Sequence, residues 1–78
     1  MLGNNKQIGE KMKTKEEILN QLYITAEDLT ILIPTMNYQK ALGYIKQTQE
    51  EMKEKNLFIP ETKTKLALTK LIRKKFGF

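Results

Sequence analysis

The sequence predicts a mainly α domain with a small β-hairpin, in the order α-α-α-β-β-α. Three observations predict it. Two Thr-x-x-acid boxes, Thr14 to Glu17 and Thr25 to Asp28, each stand just before a short apolar stripe. Pro34 closes the second stripe shortly before a long amphipathic run, Asn37 to Lys55. From Leu57 to Lys65 the helical period is lost, and the chain reads as strand, turn, strand.

The elements follow in chain order. Residues 1–13 are polar, contain Gly3, Asn4, Asn5 and Gly9, and lack periodicity, so they are expected to form a flexible arm ahead of a single domain over 14–78. Met12 is followed by a sequence that would itself make a protein start. On that hypothesis residues 1–11 are an upstream extension, which the intact mass of protein made from its own gene decides. In each Thr-x-x-acid box the hydroxyl takes the N3 amide and the carboxylate reaches back to the N-cap amide. The first box opens a helix through about Leu22, with Ile18, Leu19 and Leu22 on one face. The second opens a helix of roughly Ala26 to Ile33, with Leu29, Leu32 and Ile33 spaced for burial.

Pro34 ends that second helix, because the residue before a proline is pushed out of the α region. Thr35, Met36 and Asn37 make the turn, and Asn37 is the expected N-cap of the long helix. Within it Ala41, Ile45, Thr48 and Met52 form the inward face, widened by Leu42 and Tyr44. Gly43 in mid-helix costs about 1 kcal/mol relative to Ala. It marks either close approach by another group or a simply tolerated glycine. Leu57, Phe58 and Ile59 favour a strand, Pro60-Glu61 a turn, and Thr62 to Lys65 an exposed second strand. A last helix is expected from about Leu68 to Phe76, facing the core with Leu68, Leu71, Ile72 and Phe76, and closed by Gly77. A short helix, a turn, a longer helix and a basic hairpin together describe a helix-turn-helix plus wing and C-terminal helix.

Composition narrows the function classes. A chain of 78 residues buries only a little over ~60% of its unfolded surface and has no room for a deep cleft and its scaffold. It contains no Cys and no His, which removes disulfides, thiolate metal sites and the commonest general base. No catalytic site, metal or cofactor is expected. Fourteen Lys and Arg against nine Asp and Glu give a net charge of +5. That favours a polyanionic partner, with plain solubility as the competing explanation. No apolar run is long enough for a membrane span and no lipidation motif is present, so a cytoplasmic location is expected.

The order of charges in residues 37–55 is the sharpest signal. An isolated helix favours acids at its N-terminus and bases at its C-terminus. Here Asn37 to Gln49 carries Lys40 and Lys46 and no acid, while Glu50, Glu51 and Glu54 arrive together at the far end. A helix whose leading turns enter the major groove of DNA would need that order, because phosphates repel acids there. The candidate DNA contacts are therefore Asn37, Tyr38, Gln39, Lys40, Gly43, Lys46 and Gln47, with Lys63 and Lys65 reaching a flanking groove or backbone. Asn and Gln can bind adenine bidentately, and Lys can bind guanine or phosphate. Half-buried packing is the competing reading for Tyr38 and the preferred one for Tyr44. For Lys40 and Lys46 the competing reading is a solvated face. Arg73, Lys74 and Lys75 fit a complement to the helix dipole better than a phosphate clamp. Glu50 and Glu51 are adjacent, so on a helix they diverge and cannot act as a carboxylate pair.

The stretches "YITAEDL", "NYQKALGYIK", "EEMKEKNLFIP" and "LIRKKFG", spanning about residues 23–77, resemble the small helix-turn-helix proteins of Gram-positive phages and integrative elements. Some of these serve as excisionases and some as regulators. The turn from Ile33 to Asn37 and the expected hairpin depart from that pattern in lacking glycine. The resemblance implies that the helix beginning near Asn37 is the recognition helix and that the position of Lys46 is commonly basic. It implies a non-enzymatic accessory protein that binds double-stranded DNA. In excision it would bend the DNA and assist a tyrosine integrase; in transcription regulation it would occupy an operator. Either role implies self-association on DNA, since one small module buries little surface. The alternative is a phage-derived protein that uses the same scaffold to inhibit or redirect a host protein.

Overall fold

The computed structural model describes residues 13–78, so the expected arm, apart from Lys13, and the question of Met12 lie outside the described residues. The chain is mainly helical with a small two-stranded antiparallel sheet. Its elements are α1 (Lys15–Leu19), β1 (Tyr23–Thr25), α2 (Ala26–Leu32), α3 (Tyr38–Glu54), β2 (Leu66–Leu68) and α4 (Thr69–Phe76).

Local chemistry sets the helix ends. Both capping boxes form: Thr14 with Glu17 opens α1, and Thr25 with Asp28 opens α2. The Asn37 side chain accepts the Lys40 amide at 2.8 Å and opens α3. Asn56, at φ 58°, closes α3 in the left-handed region, and the Leu57 amide turns back to the Met52 carbonyl at 2.8 Å. Gly77, at φ 79°, does the same for α4, donating to the Arg73 carbonyl at 2.7 Å. Ile33 is extended ahead of Pro34, so α2 stops one residue short of the expected end.

The strands are not where the sequence placed them. Residues 57–65 contain no strand, and the hairpin expected there is replaced by an irregular loop. Pro60 has no amide to donate, the Leu57 amide is spent on the end of α3, and Thr62 to Lys65 are all exposed with no apolar face to bury. The sheet instead pairs β1 with β2, Tyr23 opposite Leu68, Ile24 opposite Ala67 and Thr25 opposite Leu66. Ile24 and Ala67 are fully buried, and their strand neighbours are half-buried. Leu68 thus ends a strand rather than starting the last helix, which begins at Thr69. The first helix is also shorter than expected. It ends at Leu19, and Leu22, placed on its apolar face by the sequence, is 70% exposed. The chain must straighten there to enter β1, and the Leu22 carbonyl accepts the Thr69 amide at 3.0 Å.

One core results. Ile18, Ile24, Leu29, Ile45, Met52 and Ile72 are fully buried and draw on every element, with Ala67 among them from β2. Each large aliphatic side chain so buried contributes about 1.5–3 kcal/mol. The expected inward face of α3, Ala41, Ile45, Thr48 and Met52, is buried along its whole length. Thr48 satisfies its hydroxyl on the Tyr44 carbonyl at 2.8 Å. With one side of α3 committed to the core, the other is left free.

Candidate functional site

That free side holds the expected contacts. Asn37, Tyr38, Gln39, Lys40, Gly43, Lys46 and Gln47 are all exposed, as are Lys63 and Lys65 on the loop. Helical spacing puts them on one side: Tyr38, Leu42 and Lys46 form one row, and Gln39, Gly43 and Gln47 the next, with Lys40 beside Gly43. A Cβ at Gly43 would meet no atom of the described residues within 4 Å, so no group among them approaches it closely.

The loop brings its lysines to the same place. Tyr38, Leu42 and Lys46 from α3 and Lys63, Thr64 and Lys65 from the loop line a groove of about 270 Å³, floored by Ala26. No carboxylate among the described residues lines it. Three lysines thus line one groove, and no carboxylate among the described residues forms an ion pair with them. Asn37, Gln39, Lys40, Gly43 and Gln47 lie outside that groove and continue the exposed surface along α3. The first turn of α3 carries no acid. Asn37 occupies the Lys40 amide, and the Tyr38 and Gln39 amides have no partner among the described residues, which leaves them open to an anionic acceptor.

The acids of α3 are held elsewhere. Glu50 lies 3.4 Å from Lys53, and Glu51 lies 2.7 Å from Lys75 of α4, so the two diverge as expected. Lys75 is therefore tied to α3, and Arg73 Nε reaches the Phe78 carbonyl at 3.4 Å, which leaves Lys74 the freest of that basic cluster. Tyr44 packs rather than projects: its ring meets Phe76 edge-on with centroids 5.0 Å apart. Tyr38 behaves differently, at 51% exposed on the rim of the groove.

Two supports escaped the sequence reading. Gln49 Nε2 donates to the Leu66 carbonyl at 2.8 Å, which anchors the end of the loop to the middle of α3. The buried Asp28 does more than cap α2. It accepts Lys13 Nζ at 3.1 Å, Gln21 Nε2 at 3.0 Å and the Thr25 amide at 3.1 Å. Burial pushes its carboxyl up, but the hydrogen bonds from Gln21, Thr25 and Lys13, with the charge of Lys13, outweigh that and hold it below the ordinary 3.8. Its capping role was readable from the Thr25 box. Lys13 and Gln21 carry no spacing signal that points to it.

Among family models, curated proteins and solved structures, none matches this chain. Geometry and charge alone therefore bear on its function. No helix among the described residues is long and apolar enough to cross a membrane.

Proposed function

We propose that the chain is a sequence-specific double-stranded DNA-binding accessory protein of a phage or mobile element, either excisionase-like or a transcriptional regulator. In this reading α2, the turn at 33–37 and α3 act as the helix-turn-helix, and the loop at 57–65 takes the part of the wing. The leading turns of α3 enter the major groove, where Gln39, Gln47 and Lys40 reach base edges, while Lys46, Lys63 and Lys65 hold phosphates on either side. The observation that carries the reading is that Lys46, Lys63 and Lys65 line one groove with Tyr38, with no carboxylate among its described lining residues. The loop needs no strands for this task, because positioned charge is enough for backbone contact.

The test is a titration of fluorescent duplex DNA over a range of salt concentrations. With about five phosphates neutralised, log affinity falls against log salt with a slope of about −4 to −5. A flat response sinks the reading. Pull-down from lysate with and without nuclease then separates a DNA ligand from a protein one: recovery lost with nuclease supports DNA, and a stoichiometric protein that survives it does not.

A further inference from the structure

A second groove, lined by none of the residues of the first, takes no part in the reading above. It runs between the α1–β1 turn and α4 and encloses about 480 Å³. Leu19, Leu22, Leu68 and Phe78 supply its apolar lining, and Lys70, Arg73 and Lys74 its rim, with no Asp or Glu among the described lining residues. Leu22 is 70% and Phe78 41% exposed, although both are large apolar side chains. Such side chains grouped at a concave, singly charged rim mark a contact surface rather than scattered surface residues.

The same chain carries a complementary projection. Past the end of α3, Leu57 is 38% and Phe58 74% exposed, the latter the most exposed large hydrophobic side chain described. Exposed Glu54 and Glu61 flank the pair in sequence, each three residues away, with the exposed Lys63 and Lys65 of the same loop further off. Lys55, between them, lines a separate groove with Glu51, Leu71, Lys74 and Lys75. Neither Glu54 nor Glu61 forms an ion pair among the described residues.

We propose that the groove beside α4 receives the Leu57–Phe58 projection of a second copy of this chain. Phe58 fills the space between Leu22 and Phe78, while Glu54 and Glu61 meet Lys70, Arg73 and Lys74. Groove against groove is disfavoured by these charges, since it sets the lysines and Arg73 opposite their own copies, and projection against projection sets Glu54 and Glu61 opposite theirs. Such a contact closes on two copies when it is made reciprocally, and made head to tail it generates a ring or an open row. Its small area makes it a weak contact, which strengthens when a shared scaffold holds copies side by side. The inference does not depend on the DNA reading, and its test contains no DNA.

Because the chain has no cysteine, single substitutions report pairing cleanly. Chains bearing Lys70→Cys and chains bearing Glu61→Cys are mixed in equal amounts, oxidised, and resolved by mass. The expected result is a mixed Lys70→Cys/Glu61→Cys disulfide in severalfold excess over statistical pairing. Adding Arg73→Glu and Lys74→Glu to the first chain returns the ratio to statistical. Adding Glu54→Lys to the second chain then restores the excess. Circular dichroism confirms that each variant folds, since every substituted residue is exposed. Statistical pairing in the first mixture overturns the proposal, and so does an excess that charge reversal leaves intact.

Discussion

The side-chain amide of Gln49 donates to the backbone carbonyl of Leu66 across 2.8 Å, joining the middle of α3 to the first residue of β2. Leu66 also ends the loop that bears Lys63 and Lys65, so this bond sets where those lysines stand relative to Lys46. Gln49→Leu removes the donor and leaves a half-buried carbonyl without its partner. The expected loss is about 1 kcal/mol, or a fall of about 4–8 °C in melting temperature for a domain this small. Thermal unfolding checks it. An unchanged melting temperature would mean that the loop is held by other contacts.

What could be read from the sequence divides along the range of the forces involved. Thr14, Thr25, Asn37 and Gly77 act on backbone groups within four residues of themselves, and each does in the structure what its spacing implied. The buried face of α3 was equally legible, because a 3.6-residue period is itself a local property. The sheet was not. Tyr23-Ile24-Thr25 and Leu66-Ala67-Leu68 are each too short to show alternation, and each gains its strand character only from the other, at the far end of the domain. Leu57 to Ile59 looked more like a strand than either, but it had no partner to pair with. Leu22 was misplaced for a related reason: its spacing from Ile18 fits a helix that β1 does not allow to continue. As for the candidate site, exposure of the α3 residues followed from the helical period. The gathering of Lys63 and Lys65 against Lys46 depends on Gln49 and on the path of the loop, and neither leaves a mark in local pattern.

Asp28 links stability to pH. Its folded-state carboxyl titrates below the ordinary 3.8, so the unfolded chain takes up a proton first as the solution is acidified. The stability it contributes is fully present above that ordinary value and is lost as pH falls through the depressed folded value. Asp28→Asn keeps the size but weakens the cap and removes the charge that Lys13 meets. The expected cost near pH 7 is about 1–2 kcal/mol. The variant should also lose part of the decline in stability below about pH 4. Denaturant unfolding of both proteins at several pH values measures this, and parallel pH profiles would exclude Asp28 as the source.

Thr69 offers a change in the opposite direction. The residue is 4% exposed at the start of α4, and its hydroxyl is buried with no hydrogen-bond partner among the described residues. A buried hydroxyl left without a partner costs about 1–3 kcal/mol. Thr69→Val replaces it with a methyl group of nearly the same shape and keeps the amide that donates to the Leu22 carbonyl. A rise in melting temperature is expected, with helix content by circular dichroism unchanged. A fall would show that the hydroxyl is bonded in solution after all.

The lysines of the candidate site separate binding from folding. Lys46 and Lys63 are exposed, and no carboxylate among the described residues pairs with either, so substitution should change stability by no more than about 0.5 kcal/mol. If both hold phosphates, Lys46→Gln and Lys63→Gln each weaken DNA binding and each make the log–log salt slope shallower by about 1. Lys40→Glu and Lys46→Glu weaken it further, because a carboxylate is then placed against the backbone at the leading turns of α3. Lys55→Gln serves as the control: it removes the same charge at the far end of α3, beyond Glu54, and should leave the slope unchanged. The measurement is fluorescence anisotropy with duplex DNA across salt concentrations, paired with a melting curve for each variant. Equal slope changes at Lys46 and Lys55 would mean that only net charge matters. A lowered melting temperature for Lys46→Gln would assign that lysine to the fold.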